Sequence, residues 1–148
     1  MAVTANSVIT PQGPLLAPLS LAAVTACATR APTPAASLAT NNIFQLVAPQ
    51  ANGCRIDRIT VKGSSSSITA ATVAQSVIIW LFDGTTAWAF DEILVTAVTP
   101  STAAASYQGY NQYQGLVLPA TWSVYASTTI TTTAATTALD VIAQGAVL

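Results

Sequence analysis

The sequence contains no histidine and very few charged residues. Of its 148 residues, four are Lys or Arg and five are Asp or Glu, so 6% of the chain is charged, against about 25% in ordinary globular proteins. This shortage removes most of the side chains that transfer protons, bind metal ions or contact phosphate groups. We therefore expect that the protein is not an enzyme and that it binds no cofactor, metal ion or small-molecule substrate.

The cations are also too few for a nucleic-acid partner. The net charge is −1, and the positive residues are Arg30, Arg55, Arg58 and Lys62. A protein that neutralises a run of phosphates needs more Lys and Arg than this, and the same shortage argues against an anionic membrane surface. No stretch reaches the ~20 uninterrupted apolar residues of a membrane-spanning helix. We expect neither nucleic acid nor membrane as a partner.

The cysteines do not form a disulfide framework. Cys27 and Cys54 are the two cysteines of the chain, and we interpret both as free buried thiols of a cytoplasmically synthesised protein. Val24–Cys27 resembles the small-residue stretch before a lipid-modified cysteine. However, no Lys or Arg precedes Pro14, and Pro14 and Pro18 interrupt the apolar run, whereas a signal peptide needs a positive start and a continuous apolar segment. We therefore predict no signal peptide.

Apolar residues make up 52% of the chain, and neutral polar residues take the place of charges. A surface of hydroxyl and amide groups with so little net charge allows other proteins, or copies of itself, to approach closely. We expect much of this surface to be covered in the functional state.

Residues 1–40 carry five of the eight prolines of the chain. Proline fixes its own backbone angle and favours extended geometry at the preceding residue, so we predict an extended N-terminal arm over 1–40 and a β-domain over 41–148. A short helical turn over Leu19–Ala28 and a flexible tail are the alternatives. Large aliphatic residues are uncommon in disordered tails, so we expect the arm to dock on a partner and to be dispensable for folding. The arm residues assigned to this contact are Pro11, Leu15, Leu16 and Leu19.

From residue 42 onward, short β-branched runs alternate with turn residues, a pattern typical of a β-sandwich of about eight strands. The clearest element is a hairpin in which Ser76–Phe82 and Thr85–Phe90 flank the turn dipeptide Asp83-Gly84. Both faces of its first strand are apolar, although a sandwich strand usually has one wet face. One face must be covered by another segment or another subunit. We assign this contact to Ile78, Trp80 and Phe82.

Two further clusters have both a structural and a functional interpretation. The tyrosines Tyr107, Tyr110 and Tyr113 recur every third residue and form either packing contacts or a flat surface for protein or sugar. Asp57, between Arg55 and Arg58, is either part of a local ion-pair cluster or a charged contact to a partner.

Four phrases of the chain resemble small virion proteins of tailed bacteriophages. They are Asn6–Gln12, Ala51–Gly53 before Arg55-Ile56, Leu118–Ala120 before Trp122–Ser127, and Val141–Gly145. Thr121 stands where a glycine often follows Leu-Pro-Ala in that group. The resemblance implies an extended arm before a jelly-roll β-sandwich, a role as a capsid decoration (cement) protein, and no catalytic residues.

Together these features predict an all-β, jelly-roll-like sandwich with a Pro-rich arm. As function we predict a virion structural protein that is synthesised in the host cytoplasm and binds the outer surface of the assembled capsid. Its partners would be the major capsid protein and two further copies, in a homotrimer with interlocking arms. The alternative is a phage tail, fibre or head-fibre protein that binds a receptor on the host surface.

Overall fold

β-Strands form most of the chain from residue 11 to residue 148, which is the part that the computed structural model describes. The strands are β1 (Gly13–Leu21), β2 (Thr33–Pro34), β3 (Phe44–Val47), β4 (Cys54–Gly63), β5 (Gln75–Phe82), β6 (Thr86–Val95), β7 (Gln108–Leu118), β8 (Ser123–Thr128) and β9 (Leu139–Val147). The helical content of the described residues is one 3₁₀ turn, Ala35–Ser37. The alternative of a helical turn over Leu19–Ala28 is therefore wrong, since β1 extends to Leu21 and the chain after it is irregular.

The strands form two antiparallel sheets, a four-stranded one in the order β1-β9-β4-β7 and a five-stranded one in the order β2-β6-β5-β8-β3. Without the two-residue β2, eight strands remain, numbered one to eight along the chain. One sheet then has the order 1-8-3-6 and the other 2-7-4-5. This is the strand order of a double-sheet jelly roll. The predicted jelly-roll sandwich is confirmed.

The core lies between the sheets and is built by alternate residues of the central strands. Ile59 and Val61 of β4 meet Val77 and Ile79 of β5 within one cluster of buried side chains. Successive strand residues point to opposite faces, so the neighbours of these residues are directed to the outer faces of the sandwich. These outer faces are where a partner could bind.

The predicted hairpin joins β5 to β6. Gly84 has a φ of 100°, which a residue without Cβ adopts at little cost. Asp83 fixes the turn, because its Oδ1 accepts hydrogen bonds from the backbone N–H groups of Thr85 and Thr86, both at 2.8 Å.

The segment predicted as an arm is extended, but its residues from Gly13 to Leu21 belong to the sandwich. β1 pairs with β9 along its whole length, from Gly13 opposite Val147 to Leu21 opposite Leu139. Leu21 is completely buried. The prediction of an arm outside the β-domain is therefore wrong for Gly13–Leu21, and we expect this segment to be needed for folding. The rest of the predicted arm up to residue 10 lies outside the described residues.

The chain between β1 and β3 crosses the outer face of the five-stranded sheet. The Cys27 N–H donates to the carbonyl oxygen of Thr128 at 2.8 Å, and Leu38 and Ile43 are buried with Ile78 and Trp80. The second apolar face of β5 is thus covered by a segment of the same chain. Because Ile78 and Trp80 are 1% and 0% exposed, their assignment to a partner contact is wrong.

Phe82, at the end of β5, is partly buried and packs edge-on against Tyr125 with ring centroids 5.5 Å apart.

No helix in the part of the chain from residue 11 onward has the length and apolar character to cross a membrane.

Candidate interaction face

The three predicted tyrosines do not lie on one surface. Tyr107 directly precedes β7, and Tyr110 and Tyr113 lie on it. Residues three apart on a strand point to opposite faces, and accordingly Tyr113 is turned inward while Tyr110 is 54% exposed on the outer face. The Tyr113 hydroxyl donates to Asp91 Oδ2 at 2.7 Å. The Tyr107 hydroxyl donates to the Leu94 carbonyl oxygen. The packing interpretation is confirmed for Tyr107 and Tyr113, and the flat tyrosine surface is wrong.

The outer face of the four-stranded sheet, which we call the docking face, carries neutral side chains and Arg58 in its two middle rows, and further charges, Arg55, Lys62 and Asp140, in the rows beyond them. The strand registers place one row of residues across it in the order Leu16, Gln144, Arg58, Gln112 and a second row in the order Pro18, Ile142, Thr60, Tyr110. Leu16, Tyr110 and Val117 are the large apolar or aromatic side chains that this face exposes most, at 66%, 54% and 52%.

The Arg55, Asp57 and Arg58 cluster lies on β4, where the register shifts between Ile56 and Arg58. Arg55 forms a two-point ion pair with Asp57, from Nε to Oδ1 at 2.7 Å and from Nη2 to Oδ2 at 3.0 Å. This hydrogen bond and the nearby carboxylate charge raise the pKa of Arg55. The local ion-pair interpretation is therefore confirmed for Arg55 and Asp57.

Arg58 has neutral partners instead. Its Nε donates to Gln144 Oε1 at 2.8 Å, and its Nη2 donates to the same oxygen. Its guanidinium lies over the Tyr110 ring, 5.5 Å from the centroid. Within the described residues no carboxylate lies within 4 Å of Arg58. The arrangement is a cation held in a fixed position by an amide and an aromatic ring.

A shallow depression of about 520 Å³ opens beside this guanidinium. Leu16, Asp57, Gln112 and Gln144 contribute to its lining together with Arg58. Its wall thus combines the opposite charges of Arg58 and Asp57 with amide groups and an aliphatic side chain, a mixture that occurs in protein–protein contacts.

The structure brings few of the predicted contact residues to this face. Leu16 lies on it and Pro11 is exposed just before β1. Leu15 and Leu19 point the other way and pack against the core. Of the three predicted tyrosines, Tyr110 lies on this face.

Sequence reasoning missed the role of Gln144, because an isolated glutamine on a strand carries no signal of its partner. It also missed a second exposed patch, formed by Trp88 and Phe90 on β6, which are 48% and 45% exposed. Two aromatics spaced by one residue beside an apolar hairpin strand could have indicated it. Phe90 lies 5.7 Å from Tyr113 between ring centroids.

A second depression, of about 410 Å³, is formed by the β4–β5 and β6–β7 loops and is lined by Lys62, several serines and Gln108.

Throughout residues 11–148 there is no group of three His, Cys, Asp or Glu side chains that could hold a metal ion. Cys27 and Cys54 are free thiols, the first partly buried and the second buried, and burial raises the pKa of Cys54.

No protein-family model, no curated protein and no solved structure matches this chain.

Proposed function

We propose that the protein is a structural protein of a bacteriophage virion that binds the assembled capsid shell and stabilises it, and that it does so through the docking face. The observation that carries this proposal is the docking face itself, whose two middle rows consist of neutral side chains and one positioned arginine. Protein interfaces are depleted of charge at their centre and enriched in Tyr and Arg. On this face the Arg58 guanidinium of β4 lies over the Tyr110 ring of the edge strand β7.

The fold and composition support the same proposal. Jelly rolls occur in viral capsid domains, although one fold serves many functions. A nearly uncharged surface binds through buried area and hydrogen bonds, so its contacts with a shell would change little with salt. The phage-like phrases of the sequence point in the same direction, and the major capsid protein is the proposed partner.

The mechanism is mass action on an assembly. A subunit that binds the assembled lattice and not its dissociated parts stabilises the lattice by its binding free energy. When several copies are connected, each further contact becomes intramolecular and the total avidity rises. This is the reason for proposing a homotrimer on the outer capsid surface.

The arms proposed to interlock such a trimer cannot include Gly13–Leu21, because β1 pairs within its own chain. Ile78 and Trp80 are likewise unavailable for subunit contacts. The exposed Trp88 and Phe90 are the aromatic side chains that we propose for them.

The test uses phage heads that lack the protein, prepared from a phage in which the gene is deleted. Purified protein should bind these heads in hundreds of copies and should raise the temperature at which they release their genome. Phage without the protein should still adsorb to cells. A few copies per particle, located at the tail, with lost adsorption and normal heads, would instead identify a receptor-binding protein and overturn the proposal.

A further inference from the structure

We propose that Arg58 receives a carboxylate from a different polypeptide when the docking face is covered, so that one acidic side chain of the partner fits the depression beside it. This inference rests on the proposed function, since it names the chemistry of the partner surface that the docking face binds.

The first argument is the state of the guanidinium. An arginine has five N–H donors, and Arg58 uses one on Nε and one on Nη2 for a single neutral oxygen, Gln144 Oε1. Its other donors have no acceptor among the described residues. The nearest acidic residue in sequence, Asp57, is occupied on both oxygens by Arg55. The guanidinium is therefore oriented but not neutralised.

The second argument is the cost of covering it. Burying an unpaired charge is expensive, and the cost falls when a counter-charge with good hydrogen-bond geometry is supplied. A planar guanidinium binds a carboxylate through two parallel hydrogen bonds. Leu16 and Tyr110 beside the depression would keep water away from such a pair, as the surroundings of interface hot spots do.

The third argument is that each carboxylate of a second copy already has a partner, or a cation beside it, within its own chain. The chain has five acidic residues, all within the described part. Four have partners: Asp57 binds Arg55, Glu92 binds Arg30, Asp91 accepts from Asn111 and Tyr113, and Asp83 accepts from the N–H groups of its own turn. The fifth, Asp140, is opposite Lys62 in the register of β9 and β4. Because Lys62 lies beside the one carboxylate without a hydrogen-bond partner, we assign the acid to another protein.

Two substitutions test this on heads that lack the protein, with wild type as reference. Arg58→Gln removes the cation and should weaken head binding about tenfold or more. Gln144→Glu keeps Arg58 and places a carboxylate beside it within the chain. It should weaken head binding to a similar degree, because the guanidinium is then already paired, while resistance to urea unfolding stays the same or rises.

The matched control is Arg30→Gln, which removes the same charge from an exposed arginine that pairs with Glu92 at 2.6 Å. It should leave head binding unchanged. If wild type does not bind the heads, the proposed function fails and this inference fails with it. If wild type binds and Gln144→Glu binds equally well, this inference alone is overturned, even where Arg58→Gln fails to fold. It is also overturned if Arg58→Gln dissociates a homo-oligomer in sedimentation, because a second copy would then be the partner.

Discussion

Tyr113 on β7 donates its hydroxyl hydrogen bond to Asp91 on β6, with 2.7 Å between the two oxygens. The bond connects the two sheets, whose other contacts are mainly apolar. Asn111 adds a second hydrogen bond to the same carboxylate oxygen, also at 2.7 Å. Desolvation, together with the hydrogen bond to Asp91 and its negative charge, raises the pKa of Tyr113, so the hydroxyl stays protonated and acts as a donor.

Tyr113→Phe should therefore destabilise the protein by about 1.5–3 kcal/mol, the usual loss for a hydrogen bond to a charged group. Urea unfolding monitored by tryptophan fluorescence would measure it. Tyr110→Phe is the matched control, because this ring is exposed on the outer face, and it should change the free energy of unfolding by less than about 0.5 kcal/mol. Equal effects of the two substitutions would contradict the inward position of Tyr113.

β1 offers a direct comparison between a strand of the sandwich and a loose arm. Leu21 is 0% exposed and Leu16 is 66% exposed on the same strand. Leu21→Ala should reduce the free energy of unfolding by about 2–5 kcal/mol, as expected for a truncated core leucine, and Leu16→Ala by less than about 0.5 kcal/mol. Both values come from chemical denaturation curves. A neutral Leu21→Ala would show that the segment behaves as an arm after all.

The Asp83 turn predicts part of the pH dependence of stability. Hydrogen bonds from the Thr86 N–H, the Thr85 hydroxyl and the Thr85 N–H lower the pKa of Asp83 in the folded state, below the value of about 3.9 in an unfolded chain. A lowered carboxyl pKa contributes stability that is present above the unfolded pKa and is lost as the pH falls through the folded one. The wild type should thus lose stability below about pH 4.

Asp83→Asn isolates this contribution, since it keeps an acceptor oxygen and removes the charge. The difference in urea midpoint between wild type and variant should be largest at pH 7 and should shrink as the pH falls below about 4. A difference that stays constant from pH 7 to pH 2 would mean that the charge of Asp83 does not stabilise the turn.

The class of the fold could be predicted because its signals are local. The Asp83-Gly84 turn and the β-branched runs fix where strands begin and end, and a pairing such as β5 with β6 follows from the short connection. The role of β1 could not be predicted in this way. Its partner β9 lies more than 100 residues away in sequence, and the prolines that suggested an arm are equally compatible with an edge strand, where Pro14 and Pro18 can direct their missing donors away from the sheet.

The candidate site was predictable only in part for the same reason. On one strand, alternation places Tyr110 and Tyr113 on opposite faces. The regular spacing of three residues in the sequence suggested instead that the tyrosines share a face. The choice of Asp57 between its two arginine neighbours depends on a register shift in β4. The contact between Arg58 and Gln144 depends on the β4–β9 register, which only the complete sheet determines.

Trp80 gives the clearest distinction between a core residue and a subunit contact. Its ring is 0% exposed, and its Nε1–H donates to Ser127 Oγ at 2.9 Å. Trp80→Phe keeps most of the apolar volume but removes this donor and leaves a small void. It should cost about 1–3 kcal/mol of the free energy of unfolding, and Trp80→Ala about 3–5 kcal/mol.

Because Trp80 is covered by Leu38 and Ile43 of its own chain, the folded Trp80→Phe variant should keep the wild-type sedimentation coefficient. Trp88→Ala is the opposite case, since Trp88 is 48% exposed. If Trp88 lies in the proposed trimer contact, this variant should retain its stability to within about 1 kcal/mol and sediment as a smaller species. The reverse result, in which Trp80→Phe is stable but dissociates and Trp88→Ala unfolds, would place Trp80 between subunits and would contradict the cover formed by the chain between β1 and β3.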